Sequence, residues 1–392
     1  MAGLKAKTTA TRAGLVRRAA ELAPMLREWA PLTEQQRQIP AEIIEAFHSA
    51  EILRAAQPVR FGGLGLDFDA TFDVALELGR GCGSSAWCYS IWSSHNWLVG
   101  MFPEQAQEDY WAESPDTLSS TSFNPFGGTL TPTDGGYRVS GRWDFSSGCD
   151  PATWLLVIGI GPNGPLMVML PRRDYTIDDT WFVSGLRGSG SKDVVIDNAF
   201  VPEYRTVSIA ALNEARSPGR LVHDTANYRI PWRSILSFTL SAAVLGIARG
   251  AMEAFEGNLT EQISARSGKR VAESPGIQIR LAEADAEISA ARSLLKEDSQ
   301  EIFQQARRSE SFSMAQQAKY RRDQAYIAKL GVQAVNRLFE ASGGRGLFDS
   351  NALQRFHRDI HAASHHFSLT WDGVAQQYGQ VKLGLAPETL EF

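Results

Sequence analysis

The spacing of apolar residues predicts amphipathic helices in roughly the first 115 residues of the chain. At the start, apolar side chains recur every three or four positions, at Leu15, Ala19, Leu22, Leu26 and Trp29. A second helix is predicted over 40–47, with a proline at an early position, and a third over 69–78. Ser84 or Ser85 is predicted to cap a fourth helix, because a serine side chain can accept a hydrogen bond from a free amide of the first turn. This fourth helix carries four residues on one face: Trp87, Ile91, His95 and Leu98.

The pattern changes to short strands in the middle of the chain. Segments rich in β-branched and aromatic residues lie at 129–133, 137–139, 142–146, 154–160 and 166–170. The pairs Asp134-Gly135 and Asn163-Gly164 predict hairpin turns between strands. Short strands at this spacing are typical of a β-sandwich or a small barrel.

A helical pattern returns from about residue 230, with longer helices. One apolar stripe steps by four and three positions, at Ile277, Leu281, Ala284, Ile288, Ala291 and Leu295, as in a helix bundle. Another long helix is predicted over 313–339, and the polar stretch 205–227 is interpreted as a surface crossover. The chain is therefore predicted to be an α+β protein with a helical N-terminal domain (1–116), a central β-domain (117–208) and a C-terminal helical bundle (209–392).

Composition narrows the classes of partner. The 392 residues include 39 basic and 44 acidic side chains, for a net charge of -5, which argues against nucleic acid as the main partner. The three cysteines, Cys82, Cys88 and Cys149, form no C-x-x-C spacing, which favours a reducing, cytoplasmic location. No unbroken apolar run approaches the roughly 18 residues of a membrane span, so we expect no membrane partner.

Histidines are concentrated near the C-terminus. Four of the seven, His357, His361, His365 and His366, follow the glycine-rich turn 343–346. Imidazole exchanges protons near neutral pH, so this cluster and His95 predict proton-handling chemistry. The first three step by four residues along a predicted helix, but no carboxylate cluster accompanies them, and we predict no metal site.

Five short motifs, in this order, carry a resemblance to a known family. They are 61–65 (Phe-Gly-Gly-Leu-Gly), 141–148 (Gly-Arg-Trp-Asp-Phe-Ser-Ser-Gly), 185–191 (Gly-Leu-Arg-Gly-Ser-Gly-Ser), 343–346 (Gly-Gly-Arg-Gly) and 355–359 (Arg-Phe-His-Arg-Asp). Together they resemble the acyl-CoA dehydrogenase superfamily over essentially the whole chain. The resemblance implies a helical N-terminal domain, a central β-sandwich or barrel and a C-terminal four-helix bundle.

The chain lacks the base that the dehydrogenases of this superfamily use. Removal of an unactivated α-proton needs a base within hydrogen-bond reach. The position that matches their usual glutamate is Phe367, and the alternative region 234–240 contains no carboxylate. The resemblance is therefore closer to the two-component flavin-dependent monooxygenases, similar to 4-hydroxyphenylacetate and steroid-phenol hydroxylases and to bacterial indole monooxygenases. An acyl-CoA dehydrogenase or oxidase, and a non-catalytic flavin-binding member of the fold, stay as alternatives.

The monooxygenase resemblance implies cofactors and partners. These are FADH2 or FMNH2 from a separate flavin reductase, O2 as co-substrate, a C4a-hydroperoxyflavin, and a small aromatic substrate of the phenol or indole type. The chain shows no G-x-G-x-x-G after a predicted strand, so we expect no nicotinamide site of its own. A homotetramer is expected, with a dimer as the alternative.

The resemblance also implies catalytic residues. His366, with His365 beside it, is expected near the flavin, although a histidine at a helix end can also serve only the helix dipole. His95 is expected to act as a general base or hydrogen-bond anchor for the substrate, with a plain core histidine as the alternative. Ser146, or Ser147 next to it, is expected to face flavin N5.

The same resemblance implies binding residues for the flavin and the substrate. The structural alternatives for these residues are an ordinary strand, plain core packing or a solvated arginine. Thr121, Ser122 and Asn124 are expected at the pyrimidine end of the flavin ring, and Arg266, Gly344 and Arg345 at its phosphates, because arginine pairs with phosphate through a two-pronged guanidinium. The expected substrate-contacting residues are Trp87, His95, Phe123 and Trp371.

Overall fold

The computed structural model describes residues 11–259, 263 and 268–387. Its first part is helical: α1 (Arg12–Gln36), α2 (Ala41–Ser49), α3 (Ala70–Gly79), α4 (Gly83–Val99) and α5 (Glu104–Trp111). The apolar stripe of α1 is buried at Leu15, Ala19 and Leu26. Pro40 stands immediately before α2, as its early position in the sequence suggested.

Helix α4 is buried along its whole length and is central to the site described below. The predicted serine cap is wrong, because the residue before the helix is Cys82 and both Ser84 and Ser85 lie inside its first turn. The start of the helix packs closely on a later element. A Cβ on Gly83 would lie 2.8 Å from the Asp359 carboxylate. Tertiary packing thus outweighs the local capping preference at this helix end.

Within the described residues, eight strands form one connected sheet. They are β1 (Ser119–Ser122), β2 (Gly128–Thr133), β3 (Gly136–Ser146), β4 (Trp154–Gly161), β5 (Gly164–Pro171), β6 (Thr176–Asp178), β7 (Lys192–Pro202) and β8 (Thr206–Ser208). The order is β6-β7-β3-β2-β4-β5-β8, and β1 pairs in parallel with β4. Both predicted hairpin turns are present, with positive φ at Gly135 and Gly164.

Strand β3 joins two segments that the sequence pattern separated. The predicted strands 137–139 and 142–146 are one strand, interrupted by register shifts at 139/141 and 143/146 against β7. Irregular pairing of this kind breaks the alternation on which the sequence reading depended. Strand β7 itself was not predicted.

The C-terminal part is again helical. Its helices are α6 (Ile209–Asn213), α7 (Trp232–Ile235), α8 (Phe238–Leu259), α9 (Pro275–Arg307), α10 (Met314–Ala341), α11 (Ala352–Ser364) and α12 (Trp371–Lys382). The crossover 205–227 holds β8, α6 and short 3₁₀ turns. A reciprocal pair of hydrogen bonds between Ser313 and Gln316 caps α10.

One hydrophobic core joins the N-terminal and C-terminal helices, and a smaller one lies within the sheet around Trp143. The segment Trp232–Leu259 is long and apolar enough to cross a membrane, but 83% of its apolar window is buried inside the protein. Its composition is therefore that of a central core helix. The predicted α+β architecture, with helices, sheet and helices in this order, is confirmed.

Candidate active site

Helix α4 carries two of the predicted site residues, Trp87 and His95. They are eight residues apart, which corresponds to about 12 Å along a helix axis. Both side chains are buried. Trp87 contacts the segment that follows α11, and His95 contacts β1.

His95 is held by the backbone of β1. Its Nδ1 lies 2.7 Å from the carbonyl oxygen of Ser119. A carbonyl can only accept, so Nδ1 carries the proton and Nε2 of the neutral ring keeps a lone pair. Tyr110 supports this arrangement by donating its hydroxyl to Ser119 Oγ at 3.1 Å. Burial lowers the pKa of His95 to about 4, so the ring is neutral near pH 7.

An aromatic wall stands beside His95. The ring centroids of Phe123 and His95 are 6.4 Å apart, and Trp232 packs edge-on against Phe123 with a centroid distance of 5.3 Å. Phe123 was predicted to contact substrate, whereas Trp232 was missed. The only signal for Trp232 in the sequence is an aromatic residue at the point where the helical pattern resumes.

His366 packs against the other predicted residue of α4. Its ring meets Trp87 edge-on at 5.5 Å, and its Nδ1 lies 2.7 Å from Ser368 Oγ. Burial, with a smaller contribution from the guanidinium of Arg321, lowers the pKa of His366 to about 4. Arg321 is a buried residue of α10 that the sequence gave no reason to select.

The neighbouring His365 is oriented differently. Its side chain is exposed, and Nδ1 donates to the carbonyl of His361 at 2.6 Å, along its own helix. His357 and His361 place their Nε2 atoms 3.2 and 2.8 Å from Asn336 Oδ1. Of the four clustered histidines, His366 is therefore the one that contacts Trp87.

A chain of serine hydroxyls begins at the indole nitrogen of Trp87. Trp87 Nε1–H donates to Ser147 Oγ at 3.1 Å, and Ser147 Oγ lies 2.7 Å from Ser191 Oγ. Ser191 in turn contacts Ser189 at 2.7 Å. The turn 185–191, recognised in the sequence only as a motif, thus connects to Trp87 through this chain of hydroxyls.

Ser146 differs from Ser147. Its Oγ is buried and finds no hydrogen-bond partner in the part of the chain that the structure describes. Phe145 before it has φ of +58°, and the amide of Ser147 donates to the Phe145 carbonyl at 2.9 Å. Such strained conformations concentrate at functional sites. An unpaired buried hydroxyl fits a ligand with polar ring atoms, as a flavin has.

The residues expected at the pyrimidine end of the flavin lie in β1 and just after it. Thr121 Oγ1 donates to the carbonyl of Leu156 at 2.8 Å, so its hydroxyl proton is already used. Ser122 is buried. Asn124 is exposed, and its Oδ1 accepts the amide of Phe126 at 3.0 Å. The backbone of this strand leads from Ser119 at His95 to Phe123.

The residues expected at the flavin phosphates lie at another place. Arg345 lines a cavity of about 130 Å³ between the C-terminal ends of α8 and α10, with Phe255, Asn258, Leu259, Ser342 and Asn351. Gly344 borders open space, since a Cβ built there would meet no atom within 4 Å. Arg266 lies outside the described residues.

Trp371 belongs to a third group of contacts. Its ring packs on Tyr326 at 5.2 Å, and Lys329 Nζ lies 4.6 Å from the ring centre. Between residues 11 and 387, excluding the undescribed positions near 265, no ring contact joins Trp371 to His95 or Phe123. Its expected contact with substrate stays a prediction.

Asp359 connects the late motif to the turn 185–191. The buried carboxylate accepts the amide of Leu186 at 2.7 Å, and Arg358 donates to the carbonyl of Ser184 at 2.6 Å. Burial raises the pKa of Asp359 to about 7. The sequence reading used this aspartate only as part of a motif and gave it no role.

Comparisons with known proteins show the family to which this fold belongs. Sequence profiles of the acyl-CoA dehydrogenase N-terminal and C-terminal domains match residues 14–114 and 238–371. The chain is 36% identical to the oxygenase component of an FADH2-dependent resorcinol hydroxylase from Rhizobium sp. (strain MTP-10005), over 95% of both chains. It is 35% identical to the flavin-dependent monooxygenase oxygenase subunit HsaA of Rhodococcus jostii (strain RHA1), over 93% of this chain and 97% of that one. The crystal structure of HsaA from Mycobacterium tuberculosis is similar with a TM-score of 0.91 at 33% identity, covering 96% of this chain and 99% of that one.

Proposed function

The chain belongs to the acyl-CoA dehydrogenase superfamily, within its flavin-dependent monooxygenase oxygenase components, and on this premise we propose that it hydroxylates a small phenol. It uses reduced flavin and O2, and it depends on a separate reductase for the flavin. The finer proposals concern the substrate, the residues that act on it and the assembly.

The observation that carries the phenol proposal is the state of His95. A buried neutral imidazole with Nδ1 fixed on the Ser119 carbonyl offers Nε2 as an acceptor beside an aromatic wall. A phenol presents an aromatic ring and an O–H, so it can pack on Phe123 while the O–H donates to Nε2, which accepts the proton as the ring carbon attacks the electrophilic oxygen. Removing that proton makes the ring carbon beside the oxygen more electron-rich, which favours attack on electrophilic oxygen. The resorcinol hydroxylase among the relatives acts on such a phenol.

One group of residues would hold the flavin ring, and a second group, described in the next paragraph, would hold its phosphates. Ser146 and Ser147, with the backbone of Ser122, would contact the polar atoms of the ring, and the unpaired Ser146 hydroxyl supports this assignment. When bound, reduced flavin supplies the two electrons that activate O2. The residues around it keep the site dry, since Trp87, Trp92 and Trp232 are all buried.

Arg345 and Gly344 would bind the flavin phosphates at a separate cavity. Their cavity at the ends of α8 and α10 shares no lining residue with the His95 or His366 contacts. We propose that two subunits contribute to one flavin site, within the homotetramer that the family resemblance implies. We propose FADH2 rather than FMNH2, because the resorcinol hydroxylase relative is FADH2-dependent. We further propose that the reductase delivers flavin by diffusion, in the cytoplasm.

An isotope experiment tests the proposal. The purified protein, an unrelated flavin reductase, NADH and FAD are mixed with resorcinol under ¹⁸O2, and the product is analysed by mass spectrometry. We expect one ¹⁸O atom per hydroxylated product and none without the protein. Oxidation of an acyl-CoA under the same conditions, with no labelled phenol product, would refute the proposal in favour of the dehydrogenase alternative.

A further inference from the structure

The segment after α11 fixes the orientation of the His366 ring. The amide of His366 donates to the Ala363 carbonyl at 3.1 Å. Its own carbonyl accepts the amides of Leu369 at 2.8 Å and Thr370 at 3.1 Å. This tight turn directs Nδ1 back toward Ser368, while Trp87 closes one side of the ring. Ser368 thus occupies Nδ1, and Nε2 is the remaining nitrogen of the ring.

Two groups of Ser368 meet Nδ1, and together they decide which nitrogen carries the proton. The backbone amide of Ser368 points at Nδ1 with an N···N distance of 3.3 Å, and its hydroxyl lies 2.7 Å away. An amide N–H can only donate. A proton on Nδ1 would face the amide proton directly, so Nδ1 must accept, and the hydroxyl then donates to it as well.

We propose that Ser368 is a positioning residue that holds His366 as the tautomer protonated on Nε2, opposite to the tautomer of His95. His366 then offers a hydrogen-bond donor to the flavin region, while His95 offers an acceptor to the phenol. The tautomers follow from contacts within the chain, and their assignment to the two ends of the reaction rests on the proposed function.

Burial makes this division of roles persistent. Both imidazoles have a lowered pKa, so neither becomes a two-fold donor near neutral pH. In a neutral imidazole the partner of one nitrogen fixes the state of the other. The Ser119 carbonyl and the Ser368 hydroxyl are chemically opposite partners, one accepting and one donating. Two identical side chains thereby acquire different functions.

Neutron diffraction from a deuterated crystal of the flavin-free protein tests the inference directly. We expect a deuteron on Nε2 of His366 and on Nδ1 of His95, with the Ser368 hydroxyl directed at His366 Nδ1. A deuteron on Nδ1 of His366, or on both of its nitrogens, would overturn the proposal. The measurement uses neither flavin nor turnover, so it can fail while the oxygenase assay succeeds, and the reverse.

Variants test whether Ser368 is the cause. Histidines labelled with ¹⁵N report the tautomer ratio by NMR, with the His366 signal identified by its loss in His366→Asn. Ser368→Ala should shift that ratio toward Nδ1–H by about two- to tenfold, the worth of one hydrogen bond, and Ser368→Thr should restore it. Ser364→Ala is the matched control, because the Ser364 hydroxyl donates to the His361 carbonyl and does not touch His366. The backbone amide stays in Ser368→Ala, so an unchanged ratio would show that the Ser368 hydroxyl does not set the tautomer and would overturn the role proposed for this side chain.

Discussion

Two substitutions of His95 separate its chemical role from its structural one. His95→Asn keeps an amide nitrogen at the position of Nδ1, so it can still donate to the Ser119 carbonyl, but it has no group in place of Nε2. We expect the free energy of unfolding to fall by only about 1 kcal/mol. His95→Ala also removes the donor, so the buried carbonyl loses its partner and a cavity remains. We expect that variant to lose about 2–4 kcal/mol.

The expected effect on catalysis is the same for both variants. Each lacks the acceptor for the phenol proton, and loss of a general base lowers kcat/KM by about 100- to 10,000-fold. Activity should recover as pH approaches about 10, where a phenol ionises without help. The wild type should show no fall in kcat/KM from pH 8 to pH 5.5, because the lowered pKa of His95 keeps the ring neutral over that range.

Product formation with reductase-supplied flavin and unfolding in urea measure the two effects separately. His365→Asn is the matched control, since that side chain is exposed and bonds only to its own helix. We expect it to change neither quantity appreciably. A His95→Asn variant that keeps kcat/KM within about threefold of the wild type, when a base should contribute at least a hundredfold, would refute the role of Nε2 as the base.

Two further substitutions test the contacts around the turn 185–191, and a third, in α12, is their control. The raised pKa of Asp359 means that the folded protein binds a proton between about pH 4 and pH 7 that the unfolded chain releases, so stability falls as pH rises through this window. Asp359→Asn can still accept the Leu186 amide and should remove a slope of up to about 1.4 kcal/mol per pH unit in urea unfolding; an unchanged slope would contradict this. Gly185→Ala places a Cβ 2.1 Å from the Arg358 carbonyl oxygen and should cost about 1–3 kcal/mol. Gly373→Ala places a Cβ in open space inside a helix and should raise the free energy of unfolding by up to about 1 kcal/mol. Equal melting temperatures for the two alanine variants would be evidence against the close packing at Gly185.

The sequence predicted the elements whose signals are local. The stripe of α1, the helix predicted over 313–339 and the turns at Gly135 and Gly164 depend on residues within a few positions of one another. The ordered motifs were sufficient to predict the superfamily. Phe367, which stands where the dehydrogenases have a glutamate, was sufficient to predict an oxygenase rather than a dehydrogenase. Strand β7 was missed because its pairing with a bulged β3 obeys no simple alternation.

Within the site, the sequence determined which residue types are present and roughly where. The structure buries His95, Ser146 and Ser147 and leaves His366 half-buried, and the roles assigned to these residues stay predictions. The tertiary structure alone decided that His366 meets Trp87 while His365 faces solvent, and that Ser147 is bonded while Ser146 is not. Side-chain direction and proton position depend on groups far apart in the chain or on the exact form of a turn, and residue spacing does not encode either.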